Sequence, residues 1–229
     1  MGKMIEFPGP GGETIPAYLA ISGSGPAPGV CIGQDIFGMS ESLTAIADMF
    51  AANGFTAMVP DVFFDIEPAT DVLPGGAERT SYINTLDTDV CFGYFRSAMD
   101  HLRGRSECNG KVATIGFCFG GNLVYLSLAR HDADAGASYY GTRLHDYLDE
   151  ATAIEKPLML NISEHDHTYS ETDRDRILAT FDGSEFVTTQ IYAERHGFAH
   201  HLPANPDDAE AKKIAHGRTF ELFAPLKDA

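Results

Sequence analysis

The six residues Gly116-Phe117-Cys118-Phe119-Gly120-Gly121 place a thiol in a G-x-nucleophile-x-G setting. An apolar run (111–117) of strand length leads into it, and a helical pattern (120–130) follows. A nucleophile at such a corner occupies a strained turn. Glycines are needed where neighbouring backbone must pass close to it. The following helix turns amide N–H groups and its positive dipole end toward the corner, which favours a thiolate and any oxyanion beside it. The chemistry this points to is covalent acyl transfer. It requires a base for the thiol and an acid to orient the base.

Two loops offer those groups in the chain order nucleophile, acid, histidine. The apolar run 157–163 leads into Glu164-His165-Asp166-His167, and the run 186–193 leads into Glu194-Arg195-His196-Gly197. Asp166 is preferred to Glu164 because it lies further past the strand end and reaches better into a site. His196 is preferred to His165, His167, His200 and His201 because Gly197 lets its loop approach other backbone closely. A metal site built from His165, Asp166 and His167 is disfavoured, since alternate residues of a loop make a poor ligand set.

These loops have to be presented by a scaffold, and the alternation of elements supplies one. Strand patterns at 15–21, 28–33, 55–60, 111–117, 135–140, 157–163 and 186–193 alternate with helical patterns at 42–53, 85–103, 120–130 and 209–226. Alternation of this kind predicts a mainly parallel sheet with helices on both faces, whose ligands collect at the C-terminal strand ends. Residues 61–82, rich in Pro, Gly and acids, read as a long surface excursion. The stretch 141–157 has room for one helix and not for a lid. No repeat or linker divides the chain, so 1–229 is expected to be one domain.

The formal net charge of −17 disfavours nucleic acid and anionic membranes as partners. The cysteines Cys31, Cys91, Cys108 and Cys118 form no CxxC pair, so neither a disulfide framework nor a zinc site is expected, and Cys108 reads as a loop residue. With no signal-like or membrane-spanning run, the expected setting is the reducing cytoplasm.

The chain resembles the dienelactone hydrolases, α/β-hydrolases with a cysteine nucleophile. The resemblance rests on QDIFG at 34–38, Pro60-Asp61, the run from Asn109 to Gly121, Tyr139-Tyr140-Gly141, Asp166-His167 and His196-Gly197-Phe198. It implies an α/β-hydrolase fold without a large cap domain, and Cys118, Asp166 and His196 as the catalytic triad. It implies backbone N–H groups of Ile36 and Phe119 as the oxyanion hole, and Asp35, where the family usually has glutamate, as the carboxylate that poises the thiol. Arg79, Tyr140 and His200 match substrate-binding positions. At 200 the family normally carries an arginine that clamps a substrate carboxylate, and histidine does not replace its bidentate contact. The implied activity is hydrolysis of a small ester or lactone of the dienelactone (carboxymethylenebutenolide) type, without metal or cofactor, by a monomer or small homo-oligomer. The alternatives are a broader carboxylesterase or thioesterase, and a non-catalytic thiol redox sensor on the same scaffold.

Overall fold

Strand β3 (Ala27–Gly33) is buried at all seven positions, without the alternation of a one-sided strand. Such a strand must be covered on both faces. The computed structural model describes residues 1–23, 25–65, 86–131, 133–200 and 208–228. They fall into two compact units, Met1–Val112 and Ala113–Ala229. Arg79, and with it most of the expected excursion, lies outside the described residues, as does His201.

In the first unit β1 (Lys3–Pro8) and β2 (Thr14–Ala20) form an antiparallel hairpin. β4 (Thr56–Pro60) pairs antiparallel with β2 and parallel with β3. The register puts Val30 beside Ala57 and Leu19 beside Met58, all fully buried. Helix α1 (Glu41–Ala52) buries Leu43, Ile46, Ala47 and Phe50, an i, i+3, i+4, i+7 stripe. Helix α2 (Thr88–Arg103) starts at Asp87, whose carboxylate accepts from the N–H groups of Asp89 (2.9 Å) and Val90 (3.4 Å). That cap places the start three residues later than the sequence pattern, because the side chain satisfies two of the first-turn donors. α2 lies tightly on β3: a Cβ on Gly29 would come within 2.9 Å of the Leu102 side chain.

The boundary between the units falls within β5 (Cys108–Phe117), so Cys108 opens a strand instead of lying in a loop. In the second unit the strand order is β5-β6-β7-β8, every pair parallel, with β6 at Ala135–Tyr139, β7 at Leu158–His165 and β8 at Val187–Arg195. Helix α3 (Phe119–Arg130) follows β5, a 3-10 segment (Leu144–Ala153) follows β6, and α4 (Glu171–Phe181) follows β7. The chain ends in α5 (Ala209–Phe223) and a 3-10 turn. Helices cover both faces of β6. A Cβ on Gly136 would strike Leu128 and Val124 of α3, and Ser138 Oγ donates to the Gly121 carbonyl. On the opposite face the Tyr139 hydroxyl meets Thr219 Oγ1 of α5 at 2.6 Å. Thr219 gives its own proton to the Ala215 carbonyl, so Tyr139 is the donor.

This is an α/β-hydrolase-like fold, eight strands mostly in parallel pairs and backed by helices, as the alternation predicted. Among the described residues no helix is long and apolar enough to cross a membrane.

Candidate active site

Strand β5 delivers Cys118 into a turn that only a constrained backbone adopts. Its φ of 57° and ψ of −118° lie outside the regions favoured for non-glycine residues. Strain of this kind costs on the order of 1–3 kcal/mol and persists only where the surroundings hold it. Here the Cys118 N–H donates to the Tyr139 carbonyl (3.0 Å), and its carbonyl accepts from Gly121 N (3.0 Å) and Thr142 N (3.1 Å). The glycines answer to close backbone approach. A Cβ on Gly116 would lie 2.5 Å from the Gly120 carbonyl carbon, and one on Gly121 would lie 2.8 Å from both Gly141 Cα and the Tyr139 carbonyl oxygen. Since backbone cannot swing aside as a side chain can, Gly116→Ala is expected to lower unfolding stability by about 3 kcal/mol or more. A urea midpoint unchanged from wild type would show that the corner relaxes.

The acid and the base come from the last rungs of two neighbouring strands. β7 and β8 pair as Ile162↔Ile191 and Ser163↔Tyr192, then, after an irregularity, as His165↔Arg195. Asp166 and His196 are the residues immediately after each strand. His196 Nδ1 lies 2.8 Å from Asp166 Oδ2 and 3.0 Å from Oδ1. An ionised carboxylate only accepts, so Nδ1 carries the proton and donates it. Asp166 Oδ1 also accepts from Thr168 N (2.8 Å) and Thr168 Oγ1 (2.7 Å), and the carboxylate is fully enclosed.

Burial works to push both groups toward their neutral forms, and in both it is outweighed. For Asp166, the hydrogen bond and charge of His196 and the two Thr168 donors hold the carboxyl below the usual range. For His196, hydrogen bonds to Asp166 and Cys118, with the negative charge of each, raise the imidazole to about 10. The thiol of Cys118 therefore borders the imidazole on the side away from Asp166. Glu164 and His165 are exposed. The His167 ring stands 5.3 Å from that of His196, while the Asp166 carboxylate is turned to His196 and Thr168. Among the described residues, His196 and Asp166 are the pair of the rival histidines and acids that meets.

Tyr140 and His200 are brought together, turned toward each other. Tyr140 Oη lies 2.6 Å from His200 Nδ1, and the two residues are only 1% and 2% exposed. Phe119 opens α3 and is buried. Asp35 and Ile36 follow β3 in the first unit. Asp35 is buried, and its Oδ1 accepts from Phe37 N at 2.8 Å. The remaining cysteines, Cys31, Cys91 and Cys108, are buried and unbridged, and burial pushes Cys91 up to about 12. One residue against the site went unnoticed in the sequence: His216 of α5, whose Nε2 lies 2.8 Å from the Ala199 carbonyl. A lone histidine on a helix gave no signal, because its partner lies in the loop after His196.

Known proteins are similar to this chain along nearly its whole length. A protein of Azospirillum brasilense, provisionally named carboxymethylenebutenolidase, is 32% identical over 96% of each chain. Carboxymethylenebutenolidase 1 of Cupriavidus pinatubonensis is 29% identical over 98% of this chain and 97% of its own. A crystal structure from Klebsiella pneumoniae, provisionally named dienelactone hydrolase, superposes with a TM-score of 0.83 over 98% of each chain at 19% identity. The dienelactone hydrolase family profile matches residues 15–227, almost the full length, and with the relative from Azospirillum it establishes that this chain belongs to the dienelactone hydrolase family.

Proposed function

We propose that the chain hydrolyses small carboxylic esters or lactones, with Cys118 as nucleophile, His196 as proton carrier and Asp166 as the group that orients it. The observation carrying this reading is the 2.8 Å hydrogen bond from His196 Nδ1 to the enclosed Asp166 carboxylate, beside the strained corner that presents Cys118. The thiol proton passes to His196 as Cys118 Sγ attacks the carbonyl carbon. The tetrahedral oxyanion is met by backbone N–H groups, for which Phe119 at the start of α3 and Ile36 are the proposed donors. Collapse breaks the bond to the leaving oxygen, which takes the imidazolium proton, and leaves a thioester. The now neutral imidazole takes a proton from water, whose oxygen attacks the thioester and regenerates the thiolate and imidazolium. Asp35 is proposed to poise the thiol, and no metal or cofactor is needed at any step. The relatives named carboxymethylenebutenolidase make a dienelactone-like enol lactone the first substrate to test.

A second reading, a broader carboxylesterase, is favoured by one observation. His200, at the position matching the family's clamp arginine, is buried with Nδ1 on Tyr140 Oη. So engaged, it makes no guanidinium-like fork for a substrate carboxylate. Steady-state hydrolysis of an anionic dienelactone beside an uncharged enol lactone, with Cys118→Ala as blank, separates the two. Preference for the anion supports the narrower activity, and preference for the neutral lactone supports the esterase. Turnover of neither above the blank overturns both.

A further inference from the structure

The β7–β8 pairing ends at His165↔Arg195, and β8 runs straight into a turn at 196–200. The sheet ladder therefore does not fix where the loop beyond His196 lies. Gly197 has a φ of 88°, and Phe198, Ala199 and His200 are all buried. Two side chains from distant parts of the second unit grip this loop at a single residue. The Ala199 N–H donates to Tyr140 Oη (3.3 Å), and the Ala199 carbonyl accepts from His216 Nε2 (2.8 Å).

Each grip is itself anchored. Tyr140 has a φ of 38°, rare for a non-glycine residue, and its N–H donates to the Asn161 carbonyl at 2.7 Å. Its ring meets the His196 ring edge-on, centroids 4.9 Å apart at 60°. His216 sits on α5 with its ring 5.7 Å from Tyr139 and 6.3 Å from Phe117. A carbonyl only accepts, so His216 carries its proton on Nε2. Burial, with the nearby charges of Lys212 and His200, pushes this imidazole down to about 4 despite the Ala199 bond, so it is neutral at ordinary pH.

We propose that Tyr140 and His216 are positioning residues for His196: together they clamp Ala199 and so set the angle at which the imidazole faces Cys118. The proposal rests on the Cys118–His196–Asp166 reading given above. Tyr140 acts both directly, by ring packing on His196, and through the loop. His216 acts only through the loop.

The test compares Tyr140→Phe, His216→Leu and His216→Gln. Tyr140→Phe keeps the ring and removes both the acceptor for Ala199 and the hydroxyl that meets His200 Nδ1, so the His216 pair, which leaves His200 Nδ1 engaged, isolates the Ala199 grip. The glutamine amide can still donate to the Ala199 carbonyl, whereas leucine cannot. Two readouts are needed: kcat and KM for an ester substrate, and the pH profile of Cys118 alkylation by iodoacetamide, which needs no substrate. Tyr140→Phe and His216→Leu are expected to lower kcat by about ten- to a hundredfold, the scale of a misplaced catalytic group. KM should stay within about threefold. Alkylation below pH 8 should slow as the thiolate loses its imidazolium partner, and His216→Gln should restore most of both. Wild-type kcat and alkylation in Tyr140→Phe and His216→Leu, or changes in KM alone, would overturn the proposal. If His216→Leu does not fold, His216→Ala takes its place, and wild-type kcat and alkylation in that variant and in Tyr140→Phe would overturn the proposal in the same way. His196→Ala run alongside keeps the two readings apart. If it leaves alkylation unchanged, the triad reading fails. If it alters the profile while the positioning variants match wild type, only the clamp fails.

Discussion

Cys118→Ala is expected to lower kcat/KM for ester hydrolysis by about 10⁴-fold or more, the scale of losing a covalent nucleophile. What remains is binding and oxyanion stabilisation, which need no thiol. The protein should nevertheless fold. The turn at 118 is held by three backbone hydrogen bonds and by the close approach of Gly116 to Gly120, none of which uses sulfur. Unchanged far-UV circular dichroism together with lost turnover is the expected pair of results. Activity within about tenfold of wild type would place the nucleophile elsewhere. Cys118→Ser should also be poor, since a hydroxyl is a far weaker acid than a thiol and surrenders its proton less readily to the same imidazole.

Asp166→Asn should cost about 10³- to 10⁴-fold in kcat with a small change in KM, and the reason lies in Thr168. Both Thr168 donors point at Oδ1. In the variant they hold the amide oxygen at that position, which leaves the amide nitrogen facing His196 Nδ1. Nδ1 must then accept, so the imidazole proton moves to Nε2, on the side of the thiol. The ring loses its carboxylate, and its titration should fall from about 10. Stability follows the same pair. The raised His196 contributes fully below its unfolded value of about 6.5, and that contribution is lost as pH rises through about 10. The lowered Asp166 contributes above about 4 and loses its contribution as pH falls further. The difference in urea midpoint between wild type and Asp166→Asn should thus be largest between about pH 4 and 6.5 and narrow on either side. A difference that grew toward pH 10 would contradict this assignment.

The parallel core was legible because β3, β4 and the second half of β5, from Val112, are mostly apolar and buried throughout, so their burial needs no knowledge of partners. β1 was not. Of Lys3–Pro8 only Phe7 is buried, and the strand exists because β2 is there to pair with it. Cys118 was legible because close backbone approach demands glycine, and glycine is visible in a sequence. Asp166 and His196 stood out from their neighbours only as preferred members of short polar clusters. The geometry separates them, through a strand register that sequence does not carry. Tyr140 and His200 match family positions, but their pairing across sixty residues, and that of His216 with Ala199, depend on packing between elements far apart in the chain.

The rung His165↔Arg195 has a consequence for how such a chain can diverge. Acid and base sit one residue past it, just beyond the ends of adjacent strands, so their separation is set by counting residues from a shared register. Removing or adding a residue at 193–195 would move Arg195 to the other face of its strand and displace the turn that carries His196, whatever was done to preserve side-chain chemistry. The opposite end of β8 is under no such constraint. There the turn 182–186 is exposed throughout, with Gly183 at a φ of 71°. Lineages of this enzyme should therefore vary in length before β8 and keep an invariant count after it, and a tag or graft is best inserted at Gly183.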